Sequence, residues 1–215
     1  MAIDAPHPSP PARVTKRRGE TRARLIASAA TIFAEHGFGR ATVEDVCEHA
    51  GYTRGAFYSN FVSLDELFFA LYVERAEQLV QAAGSAVSNA VAELGTDPPI
   101  STVVDRVLST LTVSRQSHLL NLEFFAHALR NPPVALALAA HRRDLRSALA
   151  PILRVGLGVR RVSAPQLEAL GRAIVAVQDG MYFQELLEPA DQRLPRARTT
   201  LITRILADAA EQLRA

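Results

Sequence analysis

Cysteine is nearly absent. The 215-residue chain holds one, Cys47, so no intrachain disulfide can staple the fold, which suits a reducing compartment. No uncharged apolar run approaches the roughly 20 residues that cross a bilayer. The most apolar short run, residues 134–140, is closely followed by Arg142 and Arg143. The first residues carry Pro6, Pro8, Pro10 and Pro11 and read as a disordered arm, with no apolar stretch after the basic residues to make a signal peptide. A soluble, cytoplasmic protein is expected. Aromatic residues are only 6% while Ala and Leu dominate, which favours helices over strands. There is no β-hairpin signal, internal repeat, G-x-S-x-G, P-loop or dinucleotide fingerprint. His118, Glu123 and His127 fall within one expected helix, but their spacing does not match H-E-x-x-H. An i,i+4 Glu–His pair is commonly a surface contact, so no metal, cofactor or enzymatic role is expected.

What is present concentrates in residues 37–67. Thr42 is a good N-cap for a helix over residues 43–50, with Asp45 completing a box-like T-x-x-D. Val43, Val46 and Ala50 give that helix an apolar face, on which Cys47 is expected to be partly buried. Gly51 follows, where a left-handed turn needs no Cβ. Thr53 then caps a second short helix carrying Arg54, Gly55, Ala56, Phe57 and Tyr58. A helix, a tight glycine turn and a second short helix form a helix-turn-helix, which can present its second helix to a DNA major groove. Ahead of it, residues 19–36 read as a helix with Leu25, Ile26, Ala29, Ala30 and Phe33 on one side. Behind it, Ser63 and Glu66 form an S-x-x-E box opening a long helix with Leu67, Phe68, Leu71 and Tyr72.

The formal net charge of +2 argues little, but its distribution does. Residues 13–24 hold six basic side chains, among them Lys16, Arg17 and Arg18, against Glu20 alone, a local net of +5. Such a cluster can neutralise phosphates or enter an adjacent minor groove.

Residues 19–79 resemble the DNA-binding domain of the TetR family of bacterial transcription regulators. The resemblance is carried by Phe33, Gly37, Phe38, Thr42, Val46, Ala50, Gly51, Thr53, Gly55, Tyr58, Phe61, Ser63 and Leu67, in order and without gaps. It implies an all-α protein of about nine helices. Residues 1–18 would be a Pro-rich, basic arm, residues 19–79 the DNA-binding domain (motif 42–61), and residues 80–215 a ligand-binding and dimerisation domain. It implies DNA contacts from Thr42, Val43, Thr53, Arg54, Gly55, Ala56, Phe57, Tyr58 and Asn60, to which the charge distribution adds Lys16, Arg17 and Arg18 of the arm. One departure stands out: the family usually has lysine where this chain has Leu64, which cannot meet a phosphate. Position 47, often alanine in the family, is Cys47 here, a small change.

The rest of the chain reads as further helices: a long one to about residue 94, then 101–116, 118–130, 134–155, 163–188 and 191–213. Leu170, Ile174 and Val177 stripe one of the last two helices, and Ile202, Ile205 and Ala209 the other. The resemblance makes these a four-helix dimer seam. Phe124, Phe125, Leu129, Met181, Tyr182 and Phe183 offer bulky walls, and His127, Gln178 and Gln184 polar groups, for a small, largely apolar effector. The expected function is a homodimeric repressor, released by that effector from a palindromic operator. The alternatives are an activator of the same fold and a helical protein-interaction module without DNA binding.

Overall fold

In a computed structural model of the chain, residues 12–95, 98–111, 114–158 and 162–214 are described, and all their regular structure is helical. The α-helices are α1 (Ala12–His36), α2 (Val43–Ala50), α3 (Arg54–Tyr58), α4 (Leu64–Leu94), α5 (Ile100–Thr110), α6 (Arg115–Arg130), α7 (Pro132–Gly156), α8 (Ala164–Leu187) and α9 (Arg193–Arg214). The described chain divides into two compact units, one ending at Tyr72 and the other beginning at Val73. The boundary expected between residues 79 and 80 lies seven residues further along the chain. It falls inside α4, a continuous helix, where no break in the sequence marks the change of neighbours.

The first unit packs α1 against α2, and α2 against α3. Leu25, Ile26, Ala29, Ile32 and Phe33 of α1 are buried, facing inward at helical spacing. Gly37 ends α1 with φ 76°, and the 3-10 turn Phe38–Arg40 returns the chain. Phe33, Phe38 and Phe68 then meet ring to ring, with centroids 4.4–5.3 Å apart. Cys47 is 4% exposed and so belongs to this core. Burial, then the Glu44 carboxylate, pushes its thiol pKa up. Ser63 Oγ accepts from the Glu66 backbone N–H at 3.2 Å, as expected. The Glu66 carboxylate, however, accepts from the Val62 N–H at 2.6 Å, one residue earlier than an S-x-x-E box anticipates.

Three boundaries differ from the sequence expectation in ways that matter. α1 begins at Ala12, not residue 19, so residues 12–18 are helical instead of a loose arm. Nothing between Arg13 and Gly19 breaks a helix except a single glycine, whose cost is only about 1 kcal/mol. The proline-rich stretch of residues 1–11 lies outside the described residues. The α5–α6 junction lies at Leu111–Ser114 instead of near residue 117. Ser114 caps α6 by accepting from the Ser117 N–H at 3.2 Å, a cap the sequence reading passed over. Pro132 does not merely halt α6; it occupies the first turn of α7, where its missing N–H is harmless.

In the second unit α8 packs against α7 and α9, α5 against α9, and α6 against α7 and α8. Val87, Ala90 and Val103 form one buried cluster with Ile152. Leu157 and Ala210 form another, joined by Leu170 and Leu206. Ser163 and Gln166 make a full capping box at α8. Among the described residues, no helix is long and apolar enough to cross a membrane.

Candidate nucleic-acid interface

α2 is held at both ends. Thr42 Oγ1 accepts from the Asp45 N–H at 3.1 Å, and the Asp45 carboxylate accepts from the Thr42 N–H at 2.9 Å. The Thr42 hydroxyl also donates to that carboxylate at 2.7 Å. These hydrogen bonds hold the Asp45 carboxyl below its ordinary pKa. Gly51, at φ 71°, closes the helix in the left-handed region, and its N–H and that of Tyr52 satisfy the Glu48 and Cys47 carbonyls. Thr53 Oγ1 then accepts from the Ala56 N–H at 3.3 Å and starts α3. Each side-chain cap of this kind contributes about 1 kcal/mol to its helix.

α3 has one inward face and one outward face. Phe57 is 0% exposed and leads inward, against Phe61 and the edge of Tyr58. This corrects the assignment of Phe57 to the DNA contacts: a side chain sealed in the core cannot touch a base. The resemblance marks the whole of α3, whereas a helix this short still turns one of its positions, Phe57, into the core. Thr53, Arg54, Gly55 and Tyr58 are exposed, while Ala56 and Val43 are half-buried. A Cβ on Gly55 would meet only Thr53 Oγ1, at 3.7 Å, so the protein itself leaves room there. Asn60 Nδ2 donates to the Ala56 carbonyl at 2.8 Å, and Asn60 thereby closes α3.

Arg54 does not wave freely. Its Nη1 lies 2.7 Å from Glu44 Oε1, and its guanidinium sits 6.0 Å from the centre of the Tyr58 ring. A hydrogen bond with Tyr58, then the Glu44 carboxylate, hold the Arg54 pKa above its ordinary value. Sequence reasoning missed Glu44. The signal was legible only as an acidic residue in the first turn of α2, where the helix dipole alone accounts for it.

The basic residues of α1 lie alongside. Lys16, Arg17 and Arg18 are exposed. Arg18 Nη2 donates to the Ser59 carbonyl at the end of α3, at 3.0 Å. Arg22 lies over the Phe61 ring at 5.1 Å and Arg24 over the Tyr52 ring at 5.8 Å. Arg18 thus sits at the end of α3, and Arg22 and Arg24 lie over rings of residues that flank it. Leu64, at the start of α4, is half-buried and brings no charge.

In the second unit the expected pocket residues scatter. Phe124 and Met181 are buried and Phe125 and Gln178 half-buried, but Leu129 is 84% exposed and so forms no inner wall. Leu129 follows the buried Ala128 on α6 and turns outward by one helical step. His127 is hydrogen-bonded by Asn131 at the end of α6. Tyr182 packs on His118 with ring centroids 3.9 Å apart and planes tilted by 37°, and Arg198 lies over its ring at 4.1 Å, ion-paired to Glu185 at 3.2 Å. Burial, then the Arg198 charge, lowers the His118 pKa. His118 and Tyr182 line a cleft of about 240 Å³ with Arg115, Glu185, Asp191 and Gln192. His118 Nε2 and Gln178 Oε1 are buried without a hydrogen-bond partner.

Of the expected dimer residues, Ile202 is 4% exposed within the single chain, so it is core and not seam. Leu170 packs on the Leu157–Ala210 cluster. Ile174, Val177, Ile205 and Ala209 are half-buried, and Leu201 of α9 is exposed. Among the described residues no group of three or more His, Cys, Asp or Glu could hold a metal ion.

Comparison with known proteins points one way. Residues 25–71 match the model of the tetR family of bacterial regulatory proteins, and residues 99–213 match the C-terminal model of BetI-type transcriptional repressors. The chain is 42% identical over 59 residues to the HTH-type transcriptional regulator TtgR of Pseudomonas putida, a match covering 27% of this chain and 28% of TtgR. It thus spans little more than a quarter of that relative. A putative TetR-family regulator from Mesorhizobium loti superposes with a TM-score of 0.67 at 15% identity, over 89% of this chain and 98% of that one. SmeT of Stenotrophomonas maltophilia, in complex with triclosan, superposes with a TM-score of 0.62 at 21% identity, over 88% and 91%. At such identities these two structures establish the fold.

Proposed function

The chain belongs to the TetR family of bacterial regulatory proteins, and from that premise we propose that it is a homodimeric transcription repressor. It binds a palindromic operator and leaves it when a small molecule binds. The single observation that carries the reading is the outward face of α3: Thr53, Arg54, Gly55 and Tyr58 exposed on a rigidly capped helix, beside the cations of α1. The exposed α3 residues supply donors for base edges, and the cations of α1 supply the phosphate contacts that set register. The Thr42 hydroxyl and backbone N–H are both committed to Asp45, so phosphate contact at this helix start falls to the backbone N–H groups that follow Thr42.

A five-residue helix reads few bases, so discrimination requires two copies on successive grooves, about 34–36 Å apart. The half-buried Ile174, Val177, Ile205 and Ala209 supply an apolar stripe for that pairing. The effector docks in the second unit near Gln178, Met181 and Tyr182, where unpartnered Gln178 Oε1 and His118 Nε2 await a hydrogen-bonding guest. That SmeT was solved with triclosan supports a guest with apolar bulk and a polar group. Because α4 begins in one unit and ends in the other, a guest that shifts it also shifts the spacing of the recognition helices.

The test is a gel shift against the DNA upstream of the protein's own gene, with a salt series and random DNA as competitor. A regulator binds its operator at least about 10³-fold tighter than random sequence. Arg54→Ala lowers operator affinity more than random-DNA affinity, and Ile205→Arg abolishes both dimer and shift. Equal affinity for operator and random DNA in the unmutated protein refutes the reading.

A further inference from the structure

We propose that Glu44 sets the sequence discrimination of the recognition helix by competing with DNA phosphates for Arg54; this rests on the DNA-binding reading above. The motive is an ion pair that α2 does not need. The cap of α2 is already complete in Thr42 and Asp45, and Glu44 takes no part in it. Instead Glu44 reaches across the turn to Arg54, at 2.7 Å, with side chains 56% and 62% exposed. The pair therefore sits on the surface that meets DNA, and not in the core.

Arginine carries five N–H donors. Glu44 and Tyr58 engage part of that set and leave the remainder open. A phosphate offers Arg54 the same chemistry that Glu44 already provides, an anionic oxygen at contact distance. Exchanging one for the other gains little and strands the Glu44 carboxylate beside a polyanion. A guanine edge offers something different, two neutral acceptors, O6 and N7, that the open donors can take bidentately. Glu44 can stay in place while they do so. Random DNA, which is held through phosphates, is thus penalised, and the operator is not. An exposed ion pair is weak enough to open and close at this task.

The experiment compares the unmutated protein, Glu44→Gln and Glu44→Asp on two duplexes of equal length. One is selected by the unmutated protein from a random-sequence pool and the other is random, each titrated over a salt series. Glu44→Gln raises random-DNA affinity more than operator affinity, lowering their ratio by roughly two- to five-fold. Its salt slope on random DNA steepens by about 0.9 as Arg54 joins the phosphate contacts. Glu44→Asp, one methylene too short to reach Arg54, behaves like Glu44→Gln. Equal gains on both duplexes, an unchanged slope, or Glu44→Asp behaving like the unmutated protein overturns the proposal. Those outcomes show a carboxylate acting only through its long-range charge. If the unmutated protein itself selects no sequence from the pool, the DNA-binding reading falls too, and that result is distinct from the others. Melting curves of the two variants confirm that each is folded before it is scored.

Discussion

Replacing Phe57 with alanine separates a structural role from a reading role more sharply than any change on the outer face of α3. Phe57 is 0% exposed and contacts Phe61 and Tyr58 within the small first unit. Removing a fully buried phenyl ring costs about 3–5 kcal/mol, the transfer term plus the cavity left behind. A unit of about 60 residues has only about 3–9 kcal/mol to lose. Phe57→Ala should therefore bring the first unit close to unfolding at room temperature while leaving the second unit folded. At about 4–8 °C for each kcal/mol, its melting point falls by about 12 °C or more. Circular dichroism follows the melt, and amide hydrogen exchange assigns it, with α2 and α3 losing protection while α8 and α9 keep theirs. Operator binding disappears in proportion to the unfolded fraction and returns at low temperature. Phe57→Leu, which keeps most of the volume, loses less on both measures. A Phe57→Ala protein with unchanged melting and exchange but no operator binding would refute the reasoning, since it would show the ring reaching the DNA after all.

Gly55→Ala should do the opposite: the helix gains about 0.5–1 kcal/mol in the mutant, and the open space found there predicts no internal clash, yet operator binding weakens because the new methyl meets the groove. A gel shift and a melt on the same sample decide it, and unchanged binding removes Gly55 from the interface. Alanine at Lys16, Arg17 and Arg18 together should flatten the salt dependence of log K by about 0.9 for each residue that meets a phosphate; an unchanged slope makes the start of α1 a bystander. Asp191 accepts hydrogen bonds from Arg193 at the start of α9, which hold its carboxyl at about 2 against the ordinary 3.8. The folded pKa is the lower one, so this stabilisation is complete above the ordinary value and fades as pH falls toward 2. Asp191→Asn should remove that part of the acid sensitivity of the melting point, and a mutant curve parallel to the unmutated one over pH 4 to 2 would contradict the contact.

Helix ends were legible where they are written in the residues themselves. Thr42 with Asp45, Gly51, Thr53 and Ser163 with Gln166 each carry a local hydrogen-bonding or backbone reason to start or stop, and the structure finds α2, α3 and α8 where those residues put them. Ser114 carried the same signal but sat in a polar run, TVSRQS, with no apolar periodicity to set it off, so the junction was placed three residues late. The unit boundary inside α4 had no signal at all. Local sequence specifies a helix, whereas which neighbours it buries against is decided by residues far away.

The site was legible by address and not by direction. The charge distribution put cations ahead of a helix-turn-helix, but it is the fold that bonds Arg18 to the end of α3 and lays Arg22 and Arg24 over aromatic rings. Phe57, Leu129 and Ile202 were misassigned for one shared reason. A helix carries a residue every 100°, so a position within a functional stretch faces the partner or the core according to a phase that depends on tertiary packing. Where an apolar residue is concerned, both faces accept the same side chain and the sequence cannot choose. A charged residue is different. Arg54 had to face solvent, and it did, but its partner had to be an anion brought close by the turn. Glu44 is ten residues away in sequence and 2.7 Å away in space. The turn at Gly51 therefore does more than orient a helix. By folding the first turn of α2 onto the head of α3, it puts the carboxylate and the guanidinium on one exposed surface, the one proposed above to meet DNA.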